Sequence, residues 1–141
     1  MNIIDIKRVL HDERILAVVA HAQFMPTPEK LHAFAHKCQS DAAVAAFGCE
    51  DNGLICGTII LRDDGGGLFE IMSIATIPAY RTRGVASRLI AFASDALNCA
   101  TLRAETDDDA VGFYRKCGFQ IESLGEKYPD IVRYLCTLSR K

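Results

Sequence analysis

No stretch of this chain approaches the ~20 consecutive apolar residues that a bilayer-crossing helix needs, so no membrane partner is expected. The start, Met1-Asn2-Ile3-Ile4-Asp5, lacks the basic end and apolar block of a secretory leader, and a cytoplasmic location is expected. Basic charge is not in excess: 16 lysines and arginines stand against 18 acids, for a formal net charge of −2. A general nucleic-acid surface needs a clustered cationic surplus to neutralise phosphates, so no nucleic-acid partner is expected either. The six cysteines (Cys38, Cys49, Cys56, Cys99, Cys117, Cys136) include no C-x-x-C pair. Most lie in apolar segments, as in Ile55-Cys56-Gly57, and read as buried free thiols rather than a disulfide frame or a metal site. Repeats, low-complexity tracts and linkers are missing too, so residues 1–141 are expected to form a single domain.

What is present is half apolar and about a quarter charged, ordinary for a globular protein and long enough to bury a core. Ile3 to Val9 reads as a first strand. Glu13 to Phe24 carries Ile15, Leu16, Val18, Val19 and Ala22 at helical spacing, with Pro26 and Pro28 as stops. Thr27-Pro28-Glu29 starts a second helix through about Cys38. Val44 to Glu50 and Leu54 to Arg62 are β-compatible runs joined by Asp51-Asn52-Gly53, a hairpin signal. The turn Asp63-Asp64-Gly65-Gly66-Gly67 leads into a fourth strand, Leu68 to Thr76. Val85, Leu89, Ala93 and Leu97 then recur every four residues, a helix with one buried face. Thr101 to Thr106 is a fifth strand, and Asp107-Asp108-Asp109 caps a helix running to Lys116, with Gly118 as its stop. Phe119 to Ser123 and Val132 to Leu138 close the chain as strands, with Leu124 to Ile131 expected as a surface loop. The order β-α-α-β-β-β-α-β-α-β-β implies an α/β (α+β) architecture, a mixed sheet with helices on its faces.

The most informative stretch is Ile71 to Ala86: a strand, a basic turn (Arg81-Thr82-Arg83), then Gly84 and the first turn of a helix. Such a junction aims unpaired backbone N–H groups and the positive end of the helix dipole at one point. That point suits an anion such as a pyrophosphate. It is neither a Walker loop, since no Gly-Lys-Ser/Thr follows, nor a dinucleotide fingerprint, since Gly-x-Gly-x-x-Gly is absent. A solvated basic loop is the plain alternative.

The turn Arg81-Thr82-Arg83-Gly84-Val85-Ala86 resembles the Gln/Arg-x-x-Gly-x-Gly/Ala hallmark of the GNAT superfamily of N-acetyltransferases. A second block, Asp107 to Phe119 (DDDAVGFYRKCGF), is similar to that family's Asn-x-x-Ala-x-x-Phe/Leu-Tyr-x-x-x-Gly-Phe run, in the right order and at the expected distance. The resemblance covers nearly the whole chain. It implies a mostly antiparallel sheet of six to seven strands, splayed between the fourth and fifth and flanked by four helices. It also implies acetyl-CoA as co-substrate, with no metal. Arg81, Thr82, Arg83, Gly84, Val85 and Ala86 would then cradle the pyrophosphate, while Ile74, Ala75 and Thr76 follow the pantetheine arm, Ile74 and Thr76 pairing with it through their backbones. Asp107 stands where the family usually has an asparagine that touches the arm. An ionised aspartate accepts but cannot donate, so Asp107 is also readable as a helix cap only.

The resemblance implies that Tyr114 protonates the departing thiolate; a packed core aromatic is the alternative. Glu70 lies eleven residues before Arg81, the spacing at which a histone-acetylating branch of the family carries its strand glutamate. If buried it would suit a general base, and if exposed it is an ordinary strand-end acid. His32 and His36, four apart, lack a third ligand and read as a solvated helix face. The Phe24-Met25-Pro26-Thr27-Pro28 loop is either part of an acceptor pocket or a staple between helices. The expected activity is direct acetyl transfer to the primary amine of a small molecule or peptide, without an acyl-enzyme on Cys117. A non-catalytic acyl-CoA-binding module is the competing class, and a homodimer through the last two strands is open.

Overall fold

The computed structural model describes residues 1–140. Its strands are β1 (Asn2–Asp5), β2 (Val44–Asp51), β3 (Leu54–Asp63), β4 (Leu68–Thr76), β5 (Thr101–Thr106), β6 (Gln120–Tyr128) and β7 (Ile131–Ser139). They form one sheet in the order β1-β2-β3-β4-β5-β7-β6, antiparallel throughout except for the parallel pair β4–β5. The helices are α1 (Glu13–Val19), α2 (Pro28–Ser40), α3 (Val85–Ala96) and α4 (Asp108–Lys116). This is the mixed, mostly antiparallel sheet with four flanking helices that the element order implies.

Each face of the sheet holds its own core. Ile15, Leu16 and Val19 of α1 and Ala35 and Cys38 of α2 pack with Ala46 and Ile60 on one side. On the other, Val85, Leu89 and Ala93 of α3 and Val111 and Tyr114 of α4 pack with Ile59, Leu61 and Leu102. The four-residue recurrence along α3 is therefore a burial stripe. Thr27 caps α2 by accepting from the Lys30 amide at 3.2 Å.

Three boundaries depart from the pattern. The expected strand Ile3–Val9 stops at Asp5, whose carboxylate accepts from the Lys7 amide at 2.9 Å and turns the chain into a short 3-10 segment, Lys7–Val9. Ile6 is then free to drop fully buried over Gly48, where a Cβ would lie 3.0 Å from its Cγ2. The expected helix Glu13–Phe24 gives up α-geometry after Val19 and ends through a 3-10 turn, Ala20–Ala22, because its buried face ends there and Ala22 is exposed. Leu124–Ile131 is not a loop. β6 runs on to Tyr128 and β7 starts at Ile131, with only two residues between them. Two register shifts, at Ser123/Gly125 and Glu126/Tyr128, break the period-two pattern that would reveal the strand.

The sheet opens where β4 bends. Opposite Ile60 lies Ser73, but opposite Leu61 lies Ile71, so Met72 is an extra residue, a β-bulge. Pairing of β4 with β5 covers only Leu68, Phe69 and Glu70, opposite Thr101, Leu102 and Arg103, and stops immediately before that bulge. From there to Thr76 the two strands diverge.

Helix α3 approaches the sheet at Gly57. A Cβ there would fall 2.5 Å from Val85 Cγ1 and 3.2 Å from both the Ala75 carbonyl oxygen and Leu89 Cδ1. Only glycine lets the first turn of α3 sit this close to the end of β4. Gly57→Ala is expected to destabilise the protein by about 1–3 kcal/mol through overpacking. The check is a lower urea midpoint at an unchanged slope.

Candidate active site

Along the open side of β4 the backbone groups alternate in direction. The Ile77 amide donates to the Cys56 carbonyl at 3.0 Å, which fixes the phase. Ala75 and Ser73 therefore face β3, while Ile74 and Thr76 turn their N–H and C=O groups into the opening. The Thr76 carbonyl accepts from Arg81 Nε at 3.1 Å. Of the three strand residues grouped as cofactor contacts, Ala75 is buried and its main chain is directed at β3 instead.

Beyond Thr76 the chain makes a 3-10 turn, Pro78–Tyr80, and reaches α3 through Arg81-Thr82-Arg83-Gly84. Arg81 and Arg83 close their amides onto Pro78 (3.2 Å) and Tyr80 (3.3 Å) carbonyls, so the Arg83 N–H, expected among the free donors, is engaged. Gly84, at φ 76°, is the N-cap of α3, with no side chain capping the helix. The first helical bond is Arg88 N–H to Gly84 carbonyl, at 3.0 Å. The amides of Gly84, Val85, Ala86 and Ser87 thus have no acceptor within the helix and emerge at its mouth. Thr82 holds φ at 72°, a left-handed conformation that strains a β-branched side chain by ~1–3 kcal/mol. Such strain persists only where surrounding structure imposes it, and here it sits in the turn that leads into the free amides of α3.

Helix α4 lies beside this mouth: Ser87 Oγ in the first turn of α3 is 3.6 Å from Cys117 Sγ at the end of α4. Asp107 is the N-cap of α4, its Oδ1 accepting from the Asp109 and Ala110 amides at 3.0 and 3.2 Å. Tyr114 is 5% exposed, its ring set edge-on between Phe113 and Phe119 with centroids 5.2 Å away in each case. Its hydroxyl has no hydrogen-bond partner among the described residues, yet it is not one of their sealed polar atoms, Thr58 Oγ1 and Ser73 Oγ. The ring is core and the oxygen reaches solvent. Burial pushes the phenol well above its ordinary value, with smaller contributions from Cys136 and Cys117.

Glu70 occupies the last paired position of β4, at the vertex of the opening and beside Arg103. It is not buried: its side chain keeps 35% exposure and its Oε2 accepts from Arg62 Nη2 at 3.2 Å. Arg62 also holds Asp64, at 3.0 Å. Tyr114 belongs to a helix on the far face of the sheet from Arg62, so the two expected proton-handling residues lie on opposite faces of the sheet. His32 pairs with Glu13 across α1 and α2 at 2.9 Å. A groove of about 330 Å³ runs along α3 from Ser87 to Asp95, with Cys117, Leu138 and Arg140 on its other wall.

Two residues at the turn carry no signal in the motif itself. Tyr80 donates its hydroxyl to Asp51 Oδ2 at 2.6 Å, and the Arg83 guanidinium stacks over the Tyr80 ring at 4.7 Å from its centroid. Asp51 reads in sequence as a hairpin residue, and only the register of β2 against β3 brings it to the turn. An aromatic inside a basic loop was the one available hint.

A model described as an acetyltransferase (GNAT) domain matches residues 42–121. No curated protein matches the chain. Among solved structures, a candidate streptothricin acetyltransferase from Bacillus anthracis, in complex with acetyl coenzyme A, is 26% identical with a TM-score of 0.66, over 75% of this chain and 68% of that one. The ribosomal-protein-S18-alanine N-acetyltransferase of Escherichia coli is 20% identical with a TM-score of 0.74, over 98% and 92%. An aminoglycoside 6'-N-acetyltransferase complexed with coenzyme A is 14% identical with a TM-score of 0.79, over 99% and 97%. The last two likenesses establish the fold. With a family match over more than half its length, laid on that fold, this chain belongs to the GNAT acetyltransferase family.

Proposed function

We propose that the protein transfers an acetyl group from acetyl-CoA directly to a primary amine of a small molecule or peptide. The observation that carries this is two sets of unused donors toward one end of the sheet: the Ile74 and Thr76 N–H groups in the opening, and the Gly84–Ser87 amides at the mouth of α3. An extended amide-bearing arm fits the first as an added strand, and a diphosphate fits the second. Acetyl-CoA carries both groups along one molecule. Arg81 and Arg83 add charge beside the helix end, whose own field contributes about 0.3–2 kcal/mol. The groove along α3 leaves space next to the mouth for the rest of the nucleotide. Coenzyme A or its acetyl ester is bound in two of the similar structures, which supports the same ligand here. Asp107, already committed to two amides of α4, would meet the arm as an acceptor only.

The reaction needs the amine nitrogen to attack the thioester carbon, the carbon–sulfur bond to break, and one proton to pass from nitrogen to sulfur. Tyr114 would serve the sulfur. A buried phenol stays neutral, and so holds a donor on the departing thiolate. The same burial penalises a tyrosinate, so the proton leaves Tyr114 only as it is replaced from the solvent that its oxygen touches. Glu70, half-buried and held by Arg62, would take the ammonium proton through water rather than by direct contact. The similar structures include enzymes named for streptothricin, a ribosomal-protein alanine and aminoglycosides, so the fold accommodates quite different amines. Acceptor choice is set by the loops, here including the exposed Phe24 and Met25.

Release of coenzyme A thiol when acetyl-CoA is offered with a panel of amines tests the assignment; release no faster than acetyl-CoA hydrolysis with every amine contradicts it. Tyr114→Phe should lower kcat on the order of 10²-fold or more with acetyl-CoA affinity nearly unchanged. Wild-type turnover in that variant would remove Tyr114 from the mechanism. The phenol is raised, so deprotonation sets in above its ordinary value of 10.0. The wild-type kcat profile should accordingly show the acceptor amine's rise and no falling limb below about pH 10. A falling limb near pH 8–9 that vanishes in Tyr114→Phe would contradict the buried, neutral donor.

A further inference from the structure

The diphosphate turn is attached to the β2–β3 hairpin by a contact that lies outside every motif. Asp51 ends β2, and the residues after it, Asn52 (φ 50°) and Gly53 (φ 84°), both have positive φ, the geometry of a tight two-residue hairpin turn. The carboxylate is therefore carried on a stiff support. Tyr80 Oη donates to it at 2.6 Å, a short charge-assisted bond. The Tyr80 ring in turn lies under the Arg83 guanidinium, 4.7 Å from its centroid. The Ile77 amide bonded to the Cys56 carbonyl makes a second tie from the same hairpin, at 3.0 Å. Just beyond these ties come the residues at positive φ, Thr82 at φ 72° and Gly84 at φ 76°.

We infer that Asp51 and Tyr80 are positioning residues, which hold Arg83 and the Gly84–Ser87 amides in the arrangement that binds the diphosphate of acetyl-CoA. Neither touches the cofactor. Their bond fixes the Tyr80 ring, the ring fixes the guanidinium, and the 3-10 turn containing Tyr80 sets where the chain enters Thr82. The inference rests on acetyl-CoA as the ligand of this turn, and it deepens that reading by assigning diphosphate affinity to a hairpin outside the motif. A tyrosine placed only to fill space would need no carboxylate partner.

Calorimetry with two donors, acetyl-CoA and S-acetylpantetheine, which lacks the diphosphate, tests this. Tyr80→Phe keeps the ring and removes the hydroxyl; it should weaken acetyl-CoA binding by about tenfold. Asp51→Ala should do the same, and the double variant should lose no more than either single one, because one bond is being removed. Asp51→Asn retains an acceptor oxygen and should bind like wild type. S-acetylpantetheine affinity and kcat at saturating acetyl-CoA should not change in any of them. Equal losses on both donors, additive losses in the double variant, or wild-type affinity in Tyr80→Phe and Asp51→Ala would overturn the positioning role. A wild-type protein that binds acetyl-CoA no better than S-acetylpantetheine would instead overturn the diphosphate reading, and the positioning role with it.

Discussion

The architecture turns on one interruption of backbone pairing. β4 and β5 begin as ordinary parallel neighbours, and after Glu70 and Arg103 they part, because the extra residue Met72 bends β4 away. A parallel ladder normally continues until a strand runs out, since each unpaired main-chain group forfeits a hydrogen bond. Here about half of β4 leaves its groups facing an opening. The other edge of β4 stays paired with β3 as far as Thr76. An interrupted ladder is a template for something strand-like.

The rest of the site is arranged around that gap. Gly57 admits α3 against the end of β4, so the helix mouth opens where the gap does. The short path from Thr76 to Gly84 leaves no freedom to place the mouth elsewhere. Ser87 against Cys117 then sets the end of α4 beside the first turn of α3. Each step uses packing on the α3–α4 face of the sheet, whereas Glu70 with its arginine partner approaches from the other face. Tyr114 and Glu70 therefore lie on opposite faces of the sheet.

The strand–turn–helix at Ile71–Ala86 and the block from Asp107 to Phe119 are legible in sequence, because their constraints are local: helical spacing, a glycine at φ 76°, a cap two and three residues before the amides it satisfies. What escapes is set by register. The bulge at Met72 shows only once Ile60 is laid against Ser73 and Leu61 against Ile71. The Asp51–Tyr80 bond joins residues 29 positions apart. The long β6–β7 hairpin hides behind two register shifts and a largely exposed edge strand, whose charged residues read as a loop. Glu70 is found by spacing, but its pairing with Arg62 comes from the β3–β4 register, in which the two stand opposite each other.

The central claim is that acetyl-CoA completes the missing ladder, and amide hydrogen exchange reads this most directly. On addition of saturating acetyl-CoA, the Ile74 and Thr76 amides and those of Gly84, Val85 and Ala86 should become strongly protected, while Ser73 and Ala75, already facing β3, change little. Protection confined to other parts of the chain, or equal in Ala75 and its two neighbours, would contradict the account.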